Sequence, residues 1–256
     1  MRLILNDVDA SVGADGELDD LALARLYAYP DQGRSPWLRA NMVSTLDGAA
    51  TGPDGRTGSI NNEPDKRVFS LLRTLADVIV VGAGTARAEG YRHPRPVTGD
   101  RAVLREGRPP APALVVVSRT GNLPRGLAAA PEVEGCGEIL LATSAAAEER
   151  ALDAAREALG ESQVLVTGED GVDQAALVRH LAGRGMPRML TEGGPQLLRD
   201  IAAAGVLDEL CLTVVPHLLA GEHPRILTGD GVELSLSPRM LLEAEGTLLG
   251  RWLRDS

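Results

Sequence analysis

The stretch Leu71-Leu72-Arg73-Thr74-Leu75-Ala76-Asp77-Val78-Ile79-Val80-Val81-Gly82-Ala83-Gly84-Thr85 decides the fold class. Val68, Leu71, Leu72 and Leu75 recur at i, i+3, i+4 and i+7, which predicts a helix over Pro64–Leu75, and Pro64 suits its first turn. Val78–Val81 is an uninterrupted apolar run that stops at Gly82 and reads as a buried strand. A helix leading directly into a buried strand is a unit of a parallel sheet covered on both faces.

The same alternation extends outward from this stretch. Short strands are predicted over Leu38–Val43, Leu114–Val117, Ile139–Ala142, Val164–Val166, Arg188–Leu190 and Leu210–Val215. Helices are predicted over Ala146–Leu159, over Asp173–Arg184 with Asp173 as cap, and over Pro195–Ala204, which Gly205 ends. Met240–Glu245 and Thr247–Leu253, split by Gly246, predict a terminal hairpin. At the front, Leu18, Ala22, Leu26 and Tyr29 share one helical face, and residues 31–36 read as a connector after Pro30. Residues 1–36 are thus expected to be an extension with a short helix, and 37–256 a single domain. The expected fold is α/β, a mostly parallel central sheet flanked by helices with an antiparallel C-terminal hairpin.

Composition narrows the function. The 256 residues carry 26 Lys+Arg against 36 Asp+Glu, a formal charge of −10, which disfavours nucleic acid and anionic membranes as partners. No apolar run is long enough to span a bilayer and no secretory leader is visible, so a cytoplasmic protein is expected. Cys136 and Cys211 are too few for a disulfide framework and suit a reducing compartment. His93, His180, His217 and His223 have no metal-ligand spacing, and neither Cys-x-x-Cys nor His-x-Glu occurs, so no metal is expected. Gly-x-Ser-x-Gly and the P-loop pattern are missing too.

Ligands of a parallel sheet bind beyond the carboxyl ends of its strands, so the residues after each strand are the candidates. Gly82-Ala83-Gly84-Thr85 allows close backbone approach and offers a hydroxyl. Ser118-Arg119 pairs a hydroxyl with a guanidinium, a combination that suits the 2′-phosphate of NADP. In Thr191-Glu192-Gly193-Gly194-Pro195, paired glycines at a helix start leave N–H groups for a phosphate, and Glu192 faces the cleft. Ser44-Thr45-Leu46-Asp47-Gly48 follows the first core strand. Each of these taken alone also has a plain reading as a turn or a solvated surface, and Thr191–Pro195 is the strongest local signal. Arg87–Pro112 is a 26-residue connection with five prolines, six arginines and three acids, and reads either as a functional loop or as a solvated linker.

Five pieces taken in order resemble the reductase family of bacterial riboflavin biosynthesis, which has the dihydrofolate-reductase-like fold. They are Ser44–Gly48, Leu72-Arg73, Ala76–Thr85, Thr191–Pro195 and Leu207-Asp208-Glu209-Leu210. Trp37–Asn41 and Ala88-Glu89-Gly90-Tyr91 are similar to the stand-alone actinobacterial group within it. The resemblance implies hydride transfer from NADPH to C1′ of a ribosylaminopyrimidine 5′-phosphate, of the 5-amino-6-(5-phosphoribosylamino)uracil type, usually by a homodimer. It also implies that Ser44, Gly82, Thr85, Glu89 and the turn Gly193, Gly194, Pro195, Gln196 and Leu197 line the cofactor, with Ser118 and Arg119 at its 2′-phosphate. Arg73 and Glu192 would face the substrate, with Thr57 nearby. Asp65 lies early on its helix, as the catalytic carboxylate of dihydrofolate reductase does, so Asp65 and Glu192 are the candidates to assist protonation. Ser59 stands where many members have Trp, and Glu89-Gly90-Tyr91 where many have Asp-Asp-Pro. Dihydrofolate reduction, a non-catalytic NADPH-binding regulator and an unrelated doubly wound transferase remain open alternatives. In a protein of charge −10, a phosphorylated substrate calls for local positive charge, so Arg92 or Arg95 is expected at the substrate phosphate, with Arg101, Arg105 and Arg108 steering.

Overall fold

The computed structural model describes residues 1–13, 18–30 and 35–255. Residues 31–34 of the expected connector lie outside them. One sheet of ten strands organises the chain, in the order β1-β9-β10-β8-β2-β7-β3-β4-β5-β6. Its parallel part comprises β2 (Trp37–Thr45), β3 (Val78–Gly82), β4 (Ala113–Val117), β5 (Ile139–Thr143), β6 (Val164–Val166), β7 (Arg188–Thr191) and β8 (Glu209–Val215). β9 (Leu236–Ala244) and β10 (Thr247–Arg254) form the antiparallel hairpin, and β10 pairs with β8. The fold class read from the sequence is the one observed.

The helices cover the two faces as their apolar spacing requires. α1 (Asp20–Leu26), α2 (Glu63–Leu75), the short α3 (Ala83–Ala88), α4 (Arg125–Ala128) and α5 (Glu149–Leu159) contribute to one core with Val68, Leu71, Leu72, Ile79 and Val81. α6 (Gln174–Gly183) and α7 (Pro195–Ala203) pack Leu177, Leu181, Leu198 and Ile201 against Val80, Val115 and Met189 on the other face. Asp19, Asn62 and Asp173 cap α1, α2 and α6 by accepting backbone N–H bonds. α5 starts at Glu149 rather than Ala146, because the N–H groups of Ala145 and Ala146 bond the carbonyls of Gly168 and Glu169 instead of opening a helix.

Two features were not foreseen. β1 (Arg2–Asn6) pairs antiparallel with β9 and completes the sheet edge. Only Leu3 of β1 is buried, so the segment lacks the apolar alternation that reveals a strand. The arginine-rich connection is also built into the molecule. Arg105, almost wholly buried, donates to the carbonyls of Thr74, Ala76 and Pro109. Arg108 donates to the Leu75 carbonyl and pairs with Asp77 at 3.1 Å, and Arg101 bonds Asp20 and Ser70. These three arginines fasten the loop to the end of α2 and to α1.

Candidate active site

The turns after β3 and β7 are joined directly, because the Gly82 N–H donates to the Gly193 carbonyl at 2.8 Å. Gly193 has φ +80°, in the left-handed region that favours glycine. A Cβ on Gly194 would lie 2.4 Å from the Thr85 hydroxyl, and one on Gly82 would lie 3.5 Å from the Gly194 nitrogen. The N-termini of α3 and α7 therefore sit side by side, with Thr85 against the glycine turn. The Gly193 N–H is taken by the Thr191 hydroxyl at 3.3 Å, so it is not free for a phosphate as the sequence suggested. Pro195 and exposed Gln196 begin α7, while Leu197 is a core residue. Ser44 is buried at the end of β2. Ser118 is buried just past the end of β4, and Arg119 beside it is exposed.

Beside this turn lies a cavity of about 540 Å³. It gathers Thr57, Asp65, Arg73, Thr85, Glu89, Arg92, Arg95 and Glu192 from the expected set. Asn41, Asn61, Phe69, Tyr91 and His93 also line it, and no role was expected of them. Tyr91 shows why they were missed. Its hydroxyl bonds Glu192, a contact across the fold that local pattern does not encode.

Glu192 follows β7, and its side chain is nearly sealed. It accepts a two-pronged pair from Arg73, with Nε at 2.6 Å and Nη2 at 2.7 Å, and a third bond from the Tyr91 hydroxyl at 2.5 Å. Arg73 lies over the Phe69 ring, 4.3 Å from its centroid. Burial alone would lower the Arg73 pKa, but attraction to Glu192 outweighs it and holds the guanidinium charge firmly. Burial, then the Glu192 charge, pushes the Tyr91 hydroxyl well above its ordinary value, so it stays a donor.

Asp65 is placed differently. It is 3% exposed on the first turn of α2, where Asn62 rather than Asp65 is the cap. The Thr213 hydroxyl donates to it, and no cation contributes to its surroundings. Burial raises its pKa above the ordinary carboxylate value, and the Thr213 bond opposes this only in part. The Glu89 carboxylate accepts the Thr57 N–H at 2.9 Å, which ties the 52–59 loop to the end of α3. Arg95 pairs with Glu132 at 2.6 Å, and both side chains are about two-thirds exposed, so the pair is easily exchanged.

The family model for the RibD C-terminal domain matches residues 36–245. The chain belongs to the RibD C-terminal domain family. It is 30% identical over 219 residues to the 2,5-diamino-6-ribosylamino-4(3H)-pyrimidinone 5′-phosphate reductase of Methanothermobacter thermautotrophicus, covering 83% of this chain and 94% of that protein. The enzyme of the same name from Archaeoglobus fulgidus is 29% identical over 201 residues, covering 76% and 87%. A pyrimidine reductase-like protein from Corynebacterium diphtheriae superposes with a TM-score of 0.77 at 24% identity, covering 90% of this chain and 96% of that one. The two archaeal relatives are pyrimidinone phosphate reductases by name, and the family match runs from just before β2 to the end of β9. Among the described residues, no helix is long and apolar enough to cross a membrane.

Proposed function

We propose that this protein is an NADPH-dependent reductase of a ribosylaminopyrimidine 5′-phosphate. The observation that carries the reading is one cavity, of a size suited to a small ligand, holding Arg73, Glu192 and Asp65 at its wall and Arg92 and Arg95 in its lining. The printed names of the archaeal relatives support the same substrate class. The glycine turn fits a nucleotide cofactor, because Gly194 has no room for a Cβ beside Thr85. Thr85, Gly194, Gln196 and the backbone of Leu197 would hold its pyrophosphate, with Gly82, Gly193 and Pro195 shaping the turn, Ser44 and Glu89 nearby, and Ser118 and Arg119 at the 2′-phosphate. When bound, NADPH supplies the hydride that reduces ribose C1′ as the sugar ring opens.

The chain's own residues do the positioning. The Glu192 carboxylate fixes Arg73 and Tyr91 in one geometry, so the substrate meets a pre-aimed guanidinium rather than a mobile one. With three bonds accepted, Glu192 is committed to holding Arg73 and Tyr91. Of the two expected carboxyls, Asp65 is therefore the one left to engage the substrate. Thr57, held by Glu89, closes the wall above it. Arg92 and Arg95 receive the phosphate, which displaces Glu132 from Arg95. The proton on the ribose oxygen arrives through water in the cavity.

One observation, a buried Asp65 carboxyl met by Thr213 and by no cation, also favours a second reading in which dihydrofolate is the substrate. We further place the protein in the cytoplasm, where its unpaired Cys136 and Cys211 are stable, and as a homodimer through β8 and the hairpin. The test is NADPH oxidation followed with the ribosylaminopyrimidine phosphate and with dihydrofolate in parallel. Arg119→Ala should raise KM for NADPH about tenfold or more while leaving NADH unchanged, as expected for loss of a bond to a charged group. Equal losses for both nucleotides remove Arg119 from the 2′-phosphate.

A further inference from the structure

The short stretch after α3 joins parts of the cavity that lie far apart in the chain. Gly90 has φ +67°, and the Tyr91 N–H closes the bend by donating to the Ala86 carbonyl at 2.9 Å. Arg92 folds back on the same bend, with Nη1 donating to the Tyr91 carbonyl at 3.2 Å. Farther out, His93 bonds the Ala129 carbonyl through Nε2 at 3.0 Å, and the Pro94 carbonyl receives the Gly137 N–H at 2.8 Å. Residues 90–95 are therefore anchored on their outer side, and they bring Arg92 and Arg95 into the lining of the cavity. On the inner side the Tyr91 side chain reaches across. Its hydroxyl donates to Glu192 Oε2, the oxygen that also receives Arg73 Nη2. The Arg73 guanidinium lies over the Tyr91 ring, 5.3 Å from its centroid, as well as over Phe69.

Tyr91 thus belongs to two assemblies at once. Its backbone is part of the segment that carries Arg92 and Arg95, and its hydroxyl is part of the Arg73–Glu192 pair. A hydroxyl bonded to a carboxylate is held more strongly than one bonded to a neutral acceptor, so a shift of one assembly is passed to the other. We propose that Tyr91 is a positioning residue, whose hydroxyl transmits the binding of the substrate phosphate at 92–95 to the Arg73–Glu192 pair beside the sugar. This rests on the reductase reading of the same cavity. Binding energy from a non-reacting group of a substrate can be used to orient the reacting centre, and a substrate that lacks the group then loses kcat as well as affinity. That use requires a physical link between the two places, and the Tyr91 hydroxyl supplies it. Without this bond the phosphate still finds its arginines, but Arg73 and Glu192 no longer register where it sits. The same reading accounts for the run Glu89-Gly90-Tyr91, in which Glu89 holds the Thr57 N–H, Gly90 makes the bend and Tyr91 holds Glu192.

The experiment crosses one residue with one substrate group. Wild type and Tyr91→Phe are assayed, with saturating NADPH, on the ribosylaminopyrimidine 5′-phosphate and on the same molecule without its phosphate. Phe keeps the ring and removes only the hydroxyl, so Tm should stay near that of wild type. In wild type, loss of the phosphate should lower kcat as well as raise KM. Tyr91→Phe should lower kcat on the phosphorylated substrate about tenfold or more, the scale of one hydrogen bond to a charged group, with KM changed by less than about threefold. On the dephosphorylated substrate its kcat should match wild type. A merely structural Tyr91 would lower both substrates alike. A variant that loses equally on both, changes KM alone or keeps full kcat overturns the proposal, and so does a wild type in which the phosphate affects only KM. If wild type reduces neither substrate, the reductase reading fails. In that case, or if the dephosphorylated substrate turns over too slowly to compare, hydrogen exchange with inorganic phosphate judges the link by itself. Phosphate should slow exchange of residues 90–95 in both proteins and of residues 190–197 in wild type only. Any other pattern overturns the proposal.

Discussion

Two arginine–glutamate pairs occupy opposite ends of the same sheet, and they are built almost alike. Glu209, at the start of β8, receives Arg39 through Nε at 2.7 Å and Nη2 at 3.1 Å. Glu192, past the end of β7, receives Arg73 in the same two-pronged way. Each guanidinium lies over an aromatic ring, Arg39 over Tyr29 at 4.2 Å and Arg73 over Phe69 at 4.3 Å. The difference is closure. Glu209 also takes Arg251 through Nε at 2.8 Å and the Trp37 indole N–H at 2.8 Å, and Arg39 and Glu209 have no exposed side-chain surface. The Arg73 side chain is 34% exposed and borders a cavity. The first cluster spends its charges on itself and joins β2, β8 and β10. The second keeps one side for a ligand. An ion pair at a strand's carboxyl end with an open face marks a site, and the same pair sealed at the amino end marks architecture.

The comparison breaks most visibly at Glu209→Gln. Burial would raise the Glu209 pKa, but Arg39 and Arg251 together hold it below the ordinary carboxylate value, so the charge is present in the fold. Removing it strands two buried guanidiniums and should cost about 3–5 kcal/mol, read as a large fall in Tm or loss of soluble protein. Glu192→Gln is next and should act on catalysis. We expect kcat/KM to fall about 10–100-fold with a nearly unchanged Tm, because Arg73 loses its anchor yet keeps solvent access. A larger Tm loss for Glu192→Gln than for Glu209→Gln would reverse the two assignments.

Arg105→Ala tests the loop. The loss of three carbonyl bonds should destabilise by about 1–3 kcal/mol. The salt dependence of kcat/KM should stay as in wild type, whereas a weakened dependence would restore Arg105 to steering.

The smallest effect has the opposite sign. Asp65 is held above the ordinary 3.8 by burial, so between that value and its folded pKa the native state binds more protons than the unfolded chain. Stability due to this group falls as pH rises through that window, and the penalty is complete above the folded pKa. Asp65→Asn should therefore raise Tm at neutral pH, and the gain should shrink as pH is lowered toward 3.8. A gain that persists unchanged at low pH would show that charge is not its source.

The legible part of this protein is the part whose physics is local. Val78–Val81, the α2 stripe Val68-Leu71-Leu72-Leu75 and the cap at Asp173 announce themselves, because burial and capping act within a few residues. The glycine turn and Glu192 could be picked out because ligands of such sheets gather past the strand ends. The roles within the site were less visible. Arg73 and Tyr91 are far from Glu192 in the chain, and only the fold shows that they take three of its hydrogen bonds. Arg101, Arg105 and Arg108 looked like a charged surface because a sequence does not display the carbonyl groups at the end of α2. β1 was hidden for a related reason, since its contribution is backbone pairing and little apolar side chain.

The placement of β2 shapes how the molecule assembles. Ala40, in the middle of the sheet, pairs with Thr191 on one side and Leu210 on the other. Leu3 waits still longer, for Leu242. During synthesis both early strands are made long before their neighbours exist, so closing the sheet carries the entropy of very long loops. Folding should consequently be slow and should finish only after the hairpin leaves the ribosome. Until then, Leu38, Val43 and the edges of β2 are open to other chains, so high expression should raise the need for chaperone protection.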